Sequence, residues 1–302
     1  YDNQALIDAL EPATTELLER HITDARPWYP YEFIPWSRGR DYTPGEDWEP
    51  QDFPLSDAVR SALFVNLLTE DNLPYYTTTI LGLTDPDHPL NEWTRRWTAE
   101  ERRHSEVIGG WIHVTRAIDP HELEDARMAQ VSGGQVPQFN NLAEALVYTS
   151  LQEPATRVTH YNTGEQLSDA DEVGRSIMNR VAADEGLHTR FYRDLAKVAF
   201  TVDPSSMVIA TARQIKHFEM PGTGIPGFKK HAKVIAEAGI YDVAQFKEKV
   251  VDPTLDRFWQ FWEIGNLSPE AEQARTDLRA YLDRLARLAR LMKDRQAEFA
   301  ES

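Results

Sequence analysis

Hydrophobic residues recur every three or four positions along most of the chain, the spacing typical of helices that bury one face. No stretch alternates between hydrophobic and polar residues in the manner of a strand. The pattern predicts helices over about residues 3–22, 57–83, 90–118, 142–167, 169 or 171 to 200, 203–220, 228–238, 241–250, 252–263 and from 268 onward. The sequence therefore predicts an all-α fold.

Proline and glycine interrupt the helical pattern in a few places. Pro74 is expected to distort the second helix, and Asp119-Pro120 to end the third. Residues 25–56, rich in proline and aromatic side chains, are expected to pack over the ends of the helices, and residues 131–141 to form a loop. The last helix carries a leucine stripe that is expected to serve packing, at positions 278, 282, 285 and 288.

Two copies of a Glu-x-x-His motif stand on predicted helices, Glu101 with His104 and Glu185 with His188. Residues three apart share one face of a helix, so each motif can offer a carboxylate and an imidazole to one metal ion. Single motifs of this kind arise by chance, and the specificity comes from their helical flanks. In a four-helix bundle, two further helices complete such a site with one glutamate each.

Glu70 on the second helix and Glu153 on the fourth lie where those two glutamates are needed. The resulting set of four carboxylates and two imidazoles, without thiolate, suits iron or manganese. The alternative is that these are solvated glutamates and ordinary core histidines. Taken singly, that interpretation is favoured for the histidines at positions 21, 88, 113 and 217. The ordered set on four apolar helices favours a metal centre.

Composition narrows the class of protein further. The net charge of −17 lacks the basic footprint of a nucleic-acid-binding protein. The absence of cysteine excludes disulfides, zinc ribbons and iron–sulfur ligation by this chain, and fits a cytoplasmic location. No apolar run is long enough to span a bilayer. We expect a single domain over residues 1–302, with the core bundle over about residues 57–200.

Six segments give the chain a family resemblance: "DWEPQDF" at 47–53, "LLTEDNLPYY" at 67–76, "RWTAEERRH" at 96–104, "SLQEPATR" at 150–157, "AADEGLH" at 182–188 and "MPG" at 220–222. The chain resembles the soluble acyl-carrier-protein desaturases, the stearoyl-carrier-protein desaturase family, especially its actinobacterial members. The resemblance implies a ferritin-like four-helix bundle with flanking helices and two iron ions. The implied ligands are Glu70, Glu101, His104, Glu153, Glu185 and His188.

The same resemblance implies a reaction and partners. The iron centre would activate dioxygen and introduce a cis double bond into an acyl chain held by an acyl-carrier protein. An external donor such as ferredoxin would supply electrons, through a route that includes Trp48, Asp184 and His104. Thr156, one turn after Glu153, is expected beside the oxygen site. A homodimer is expected on the same grounds.

The candidate residues for binding the acyl chain and the carrier protein carry no motif of their own. Small side chains after Glu70 are expected to line an acyl tunnel, although they could equally serve helix packing: Thr77, Thr78, Thr79, Gly82 and Leu83. An acidic carrier meeting an acidic chain needs a local basic patch. The best candidates surround the glycine- and proline-rich loop at 221–227, with a solvated surface as the alternative: Arg213, Lys216, Lys229, Lys230 and Lys233.

Two positions depart from the pattern of the family. Gly186 stands in mid-helix, where glycine costs about 1 kcal/mol relative to alanine. Pro154 follows Glu153 directly and is expected to break its helix locally. Both departures leave the ligands in place but bear on the substrate. The alternatives are therefore a di-iron oxygenase that hydroxylates or N-oxidises another substrate, and a non-catalytic ferritin-like iron-binding protein.

Overall fold

The computed structural model describes residues 3–168 and 170–300. These residues contain no strand, which confirms the predicted all-α fold. The long helices are α1 (Asn3–Asp24), α2 (Asp57–Glu70), α3 (Leu73–Leu81), α4 (Pro89–Thr115), α5 (Pro120–Gly133), α6 (Leu142–Gln166), α7 (Glu172–Val202), α8 (Pro204–Lys216), α9 (Phe228–Glu237) and α10 (Pro269–Ala300). Shorter helical turns lie at Pro30–Phe33, Trp36–Arg38, Pro50–Asp52, Val243–Gln245, Phe246–Val251, Pro253–Phe258 and Phe261–Glu263.

Four helices close into a ring. Helix α2 contacts α4 and α6, and α7 contacts the same two helices. Helix α1 packs against α7 and α4, while α10 packs against α8 outside the ring. The predicted four-helix bundle with flanking helices is therefore confirmed. Among the described residues, no helix is both long enough and apolar enough to cross a bilayer.

Two apolar clusters fill the bundle on either side of one polar layer. Along α4, Trp97 belongs to one cluster and Val107 to the other. Along α7, Phe191 and Val181 are divided in the same way. The Glu-x-x-His motifs occupy the turns between these residues, so the sequence places them between two water-excluding layers.

Prolines lie at the starts of two helices, and the helix boundaries beside them differ from the predicted ones. The break expected at Pro74 falls at Asp71 and Asn72, and Pro74 lies in the first turn of α3. Helix α4 ends at Thr115, with Arg116 in the left-handed conformation as its cap, so the end predicted at Asp119-Pro120 is wrong. Asp119-Pro120 instead starts α5, which was not predicted. The Asp119 side chain accepts from the His121 amide at 2.9 Å, and Pro120 takes the first helical position, where its missing N–H costs nothing.

Pro154 lies inside the continuous helix α6, so the predicted local break is wrong. Proline removes only one backbone hydrogen bond there, and the flanking turns remain helical because α6 packs closely against α7. At the start of α7 the cap is Asp171, which accepts from the Val173 amide at 3.1 Å. The alternative cap, Asp169, lies outside the described residues.

Other packing predictions hold in part. Leu278, Leu282 and Leu285 of α10 are buried, but Leu288 is half exposed, so its predicted packing role is wrong. In the segment over residues 25–56, Trp28 is buried as expected. Several of its other aromatic side chains remain largely exposed: Tyr29, Tyr31, Trp36 and Tyr42.

Candidate metal centre

The polar layer brings all six predicted ligands together. Each is buried, with at most 6% of its surface exposed: Glu70, Glu101, His104, Glu153, Glu185 and His188. They form two groups whose candidate ligand atoms lie within 4.8 Å of one another. The first group contains Glu70 and His104, the second contains Glu153 and His188, and Glu101 and Glu185 belong to both. This arrangement offers two adjoining metal positions that share two carboxylates.

Both histidines turn the same ring atom toward the cluster. His104 Nδ1 lies 3.5 Å from Glu101 Oε2 and 3.7 Å from Glu185 Oε1. His188 Nδ1 lies 2.7 Å from Glu101 Oε1 and 3.4 Å from Glu185 Oε2. The two shared glutamates thus direct one oxygen to each histidine, as residues that bridge two cations would.

The outer nitrogen of each histidine faces a second carboxylate. His104 Nε2 lies 3.4 Å from Asp184 Oδ2, and His188 Nε2 lies 3.0 Å from Glu100 Oε2. Glu100 also contacts His21 Nε2 at 2.8 Å and Arg96 Nε at 2.5 Å. A carboxylate in this position fixes the tautomer and orientation of a metal-binding imidazole. The sequence did not reveal the role of Glu100, and His21, interpreted as an ordinary core histidine, is indeed buried and hydrogen-bonded.

Four inner atoms of the cluster lack hydrogen bonds. Among the described residues, His104 Nδ1, Glu101 Oε1 and both carboxylate oxygens of Glu153 are buried without a hydrogen-bond partner. The 2.7 Å contact of Glu101 Oε1 with His188 Nδ1 does not have hydrogen-bond geometry. Buried polar atoms without partners are costly, and a pair of cations would satisfy these four atoms at once. The residues therefore fit a metal centre.

The charges in the layer are strongly coupled. Burial raises the pKa of Glu153 well above its usual range, and the negative charge of Glu185 adds to the effect. Burial acts in the same direction on Glu185, but contacts with His160 and His188 outweigh it and hold the pKa of Glu185 at about 2. Burial would lower the pKa of His104, but the charge of Glu101 raises it well above its usual value. Metal ions entering the layer would displace the protons held there.

His160 is a third histidine at the cluster, and the sequence analysis missed it. Its Nε2 lies 3.0 Å from Glu70 Oε1 and 3.6 Å from Glu185 Oε1. Burial would lower the pKa of His160, but these two carboxylates raise it to about 9. The signal was its spacing, because a residue seven positions after Glu153 lies two turns along the same helix face.

Trp48, predicted to belong to an electron route through Asp184, contacts other residues instead. Trp48 Nε1 donates to the Arg116 carbonyl oxygen at 2.8 Å, and its ring lies under the Arg60 guanidinium. Trp28 occupies the expected place, donating from Nε1 to Asp184 Oδ2 at 2.8 Å. Arg103 and Arg180 contact both the Trp28 ring and Asp184. Trp28 follows α1 in an irregular segment, where helical periodicity gives no information about contacts.

Two small cavities reach the cluster. The larger has a volume of about 70 Å³, and the smaller, which also contacts Glu101, has about 20 Å³. Glu70 and Thr156 line both of them. The Thr156 hydroxyl donates to the Glu153 carbonyl oxygen at 2.9 Å. Thr156 therefore lies beside the metal positions as expected, and its chemical role stays a prediction.

The predicted tunnel residues lie elsewhere than these two cavities. Thr78 and Thr79 donate to carbonyl oxygens of their own helix, as threonine hydroxyls in helices commonly do. Thr77 shares a hydrogen bond with Thr98, Gly82 is exposed, and Leu83 packs on an apolar cluster. The alternative interpretation of these residues, helix packing, is the one that their contacts favour.

The predicted basic cluster is divided. Arg213 forms an ion pair with Glu144 at 3.0 Å and lines a groove of about 640 Å³. Lys230 lines a different depression of about 260 Å³, beside Trp48. Lys233 pairs with Glu237 at 3.7 Å, Lys216 is partly buried, and Lys229 is exposed. The structure thus separates Arg213 from the lysines of α9.

The fold and the polar layer together define a class: helical-bundle proteins with two adjoining groups of buried carboxylates and histidines that fit metal ions. The sequence matches the family model described as "Fatty acid desaturase" over residues 2–302. The chain belongs to this family, and it is accordingly an oxidoreductase of the desaturase type.

Relatives and a solved structure agree with this assignment. The chain is 38% identical over 283 residues to DesA1 of Mycobacterium tuberculosis, named as an acyl-[acyl-carrier-protein] desaturase, covering 90% of this chain and 83% of the relative. It is 26% identical over 292 residues to stearoyl-[acyl-carrier-protein] 9-desaturase 1 of Arabidopsis thaliana, covering 91% and 74%. The X-ray structure of DesA2 from M. tuberculosis matches with a TM-score of 0.73 at 23% identity, covering 89% of this chain and 99% of DesA2. That match supports the fold.

Proposed function

We propose that the chain is a di-iron desaturase that introduces a cis double bond into an acyl chain carried by an acyl-carrier protein. The observation that carries the proposal is the pair of overlapping ligand groups with unpartnered inner atoms. The substrate class is supported by the names of the relatives, which act on acyl chains linked to a carrier protein.

The six ligands would hold two metal ions at two adjoining positions. Glu70 and His104 would serve one position, Glu153 and His188 the other, and Glu101 and Glu185 both. Oxygen and imidazole ligands without thiolate suit iron, and when bound the iron pair supplies the activation of dioxygen that desaturation requires. Asp184 and Glu100 orient the two imidazoles, and the apolar clusters on either side of the layer exclude water.

The reaction needs a reductant because its atoms and electrons must balance. Two neighbouring methylene groups lose two hydrogens, dioxygen is reduced to two molecules of water, and a donor supplies two electrons while solvent supplies two protons. We infer a one-electron donor protein such as ferredoxin. Trp28 is the indole that contacts Asp184, so we place the proposed electron route on Trp28, Asp184 and His104.

Iron analysis and product mass spectrometry together test the proposal. The purified chain should hold about two iron ions, and acyl-carrier protein incubated with chain, reductant, donor and dioxygen should lose two hydrogens from its acyl group. Gain of one oxygen atom would indicate an oxygenase. Iron oxidation with an unchanged acyl chain under all donors would indicate a ferritin-like protein. A homodimer and a cytoplasmic location stay predictions.

A further inference from the structure

Glu70 and Glu153 are the two glutamates that each belong to one metal position, and their surroundings differ. Glu70 Oε1 is 3.0 Å from His160 Nε2. Both oxygens of Glu153 are buried without a hydrogen-bond partner among the described residues. The ligand set is therefore symmetric in its residue types but not in the support of its carboxylates.

The direction of the His160 contact follows from chemistry. An ionised carboxylate can only accept, so His160 Nε2 carries the proton and donates it to Glu70 Oε1. The other oxygen, Glu70 Oε2, is left facing His104 Nδ1 at 3.8 Å. His160 is buried, with 1% of its surface exposed, between this carboxylate and the larger cavity.

We propose that His160 is a positioning residue, which holds Glu70 ready for the metal ion on the His104 side and makes that side bind metal more tightly than the His188 side. The inference rests on the proposed metal centre and goes beyond it, because it assigns unequal affinities to the two positions. The expected size of the difference follows from a general rule: a group that orients a metal ligand contributes about 10–100-fold to metal affinity.

Three substitutions separate the hydrogen bond from the volume of the ring. His160→Gln places an amide nitrogen near the position of Nε2 and can still donate to Glu70. His160→Leu keeps a comparable volume without a donor. Thr159→Val is the matched control, since Thr159 lines the same cavity but donates to the Ala155 carbonyl oxygen of its own helix.

Cobalt titration of the full chain, stripped of metal by a chelator, measures the two positions separately by visible absorption and calorimetry. The unsubstituted chain and Thr159→Val should bind two Co²⁺ ions in two distinct steps. His160→Leu should weaken the tighter step by about 10–100-fold, so that the steps merge. His160→Gln should restore most of the difference, which a role in packing alone would not predict.

Several outcomes would overturn the inference. Two equal steps in the unsubstituted chain would remove the inequality, and a Leu variant that titrates like the unsubstituted chain would remove the role of His160. Equal weakening of both steps in the Leu and Gln variants would show general packing. Failure of the unsubstituted chain to bind two Co²⁺ ions would overturn the metal centre itself. Thermal unfolding checks each variant, and His160→Asn, which is too short to reach Glu70, replaces a Leu variant that does not fold.

Discussion

Glu100 and Asp184 each precede a ligand glutamate by one residue, and each contacts the histidine of the opposite helix. Glu100 on α4 faces His188 on α7 at 3.0 Å, and Asp184 on α7 faces His104 on α4 at 3.4 Å. The two motifs are therefore longer than Glu-x-x-His, and they brace each other across the bundle. Because both contacts join α4 to α7, the distance between these two helices determines how the two imidazoles are oriented.

We expect the two outer carboxylates to support one metal position each. Asp184→Asn should lower the metal affinity of the His104 position, and Glu100→Gln that of the His188 position, by about 10–100-fold, because each loses the charge that orients an imidazole. Metal titration measures both effects. The control is Glu165→Gln, a half-exposed carboxylate paired with Arg175 on the surface. Unchanged binding in both outer-carboxylate variants would contradict the bracing role.

The two tryptophans should behave differently on substitution. Trp28→Phe keeps an aromatic ring between Arg103 and Arg180 but removes the donor to Asp184. A hydrogen bond to a charged group contributes about 1.5–3 kcal/mol, so the free energy of unfolding should fall by that order. Turnover at saturating donor should fall as well.

Trp48→Phe is the matched control for Trp28→Phe. It removes a neutral bond to the Arg116 carbonyl oxygen, which typically contributes about 1 kcal/mol, and it should leave turnover close to that of the unsubstituted chain. Denaturant unfolding and a steady-state assay distinguish the two variants. A larger loss of turnover in Trp48→Phe would return the electron route to the residue that the resemblance indicated.

Local patterns predicted the parts of this molecule that depend on local spacing. The helices that carry Glu101 and Glu185, and the shared face of each glutamate with its histidine, follow from residues three or four apart. Glu70 and Glu153 were placed by the pattern of a four-helix bundle and by the family resemblance. Trp28 could not be placed in this way, and the spacing of His160 after Glu153 gives its helix face but not its partner. Trp28 reaches Asp184 across 156 positions of sequence, from a segment with no period. His160 becomes meaningful only when α2 brings Glu70 to it.

Two expectations were drawn from the type of a residue alone, without its surroundings in the fold. Pro154 was expected to break a helix because proline usually does, but packing against α7 keeps α6 continuous. Thr78 was expected to line a tunnel because it is small, but its hydroxyl bonds its own helix and its side chain is exposed. In both cases the tertiary surroundings decide, and a single sequence does not contain them.

Gly186 offers a test of stability inside the site helix. A Cβ at this position would meet Arg157 Nε at 3.4 Å and Cζ at 3.5 Å, which are ordinary contacts. Gly186→Ala should therefore stabilise the chain by up to about 1 kcal/mol, the helix-propensity difference, with metal content unchanged. Gly174→Ala on the same helix should destabilise it, because its Cβ would meet Trp111 Cζ2 at 2.5 Å. Thermal or denaturant unfolding of both variants decides, and a destabilising Gly186→Ala would contradict the expectation.

The lysines at the start of α9 should govern docking of the carrier protein. Phe228 lines the cavity that reaches Glu70, and the neighbouring Lys229 and Lys230 are exposed beside it. An acidic carrier can dock on a chain of net charge −17 only where the surface has a local basic patch. Arg213 is a weaker candidate, because Glu144 already offsets its charge.

Charge reversal tests this docking role. Lys229→Glu combined with Lys230→Glu should raise KM for the acyl-carrier protein, and more strongly at low ionic strength, where screening is weaker. Turnover at saturation should change little, since these residues would contribute binding that is equal in the ground and transition states. Lys197→Glu combined with Lys249→Glu, at exposed positions outside α9, changes the net charge by the same amount and is the control. If KM in the α9 double variant matches that of this control at every ionic strength, while iron content stays normal, the lysines of α9 are solvated surface and the carrier docks elsewhere.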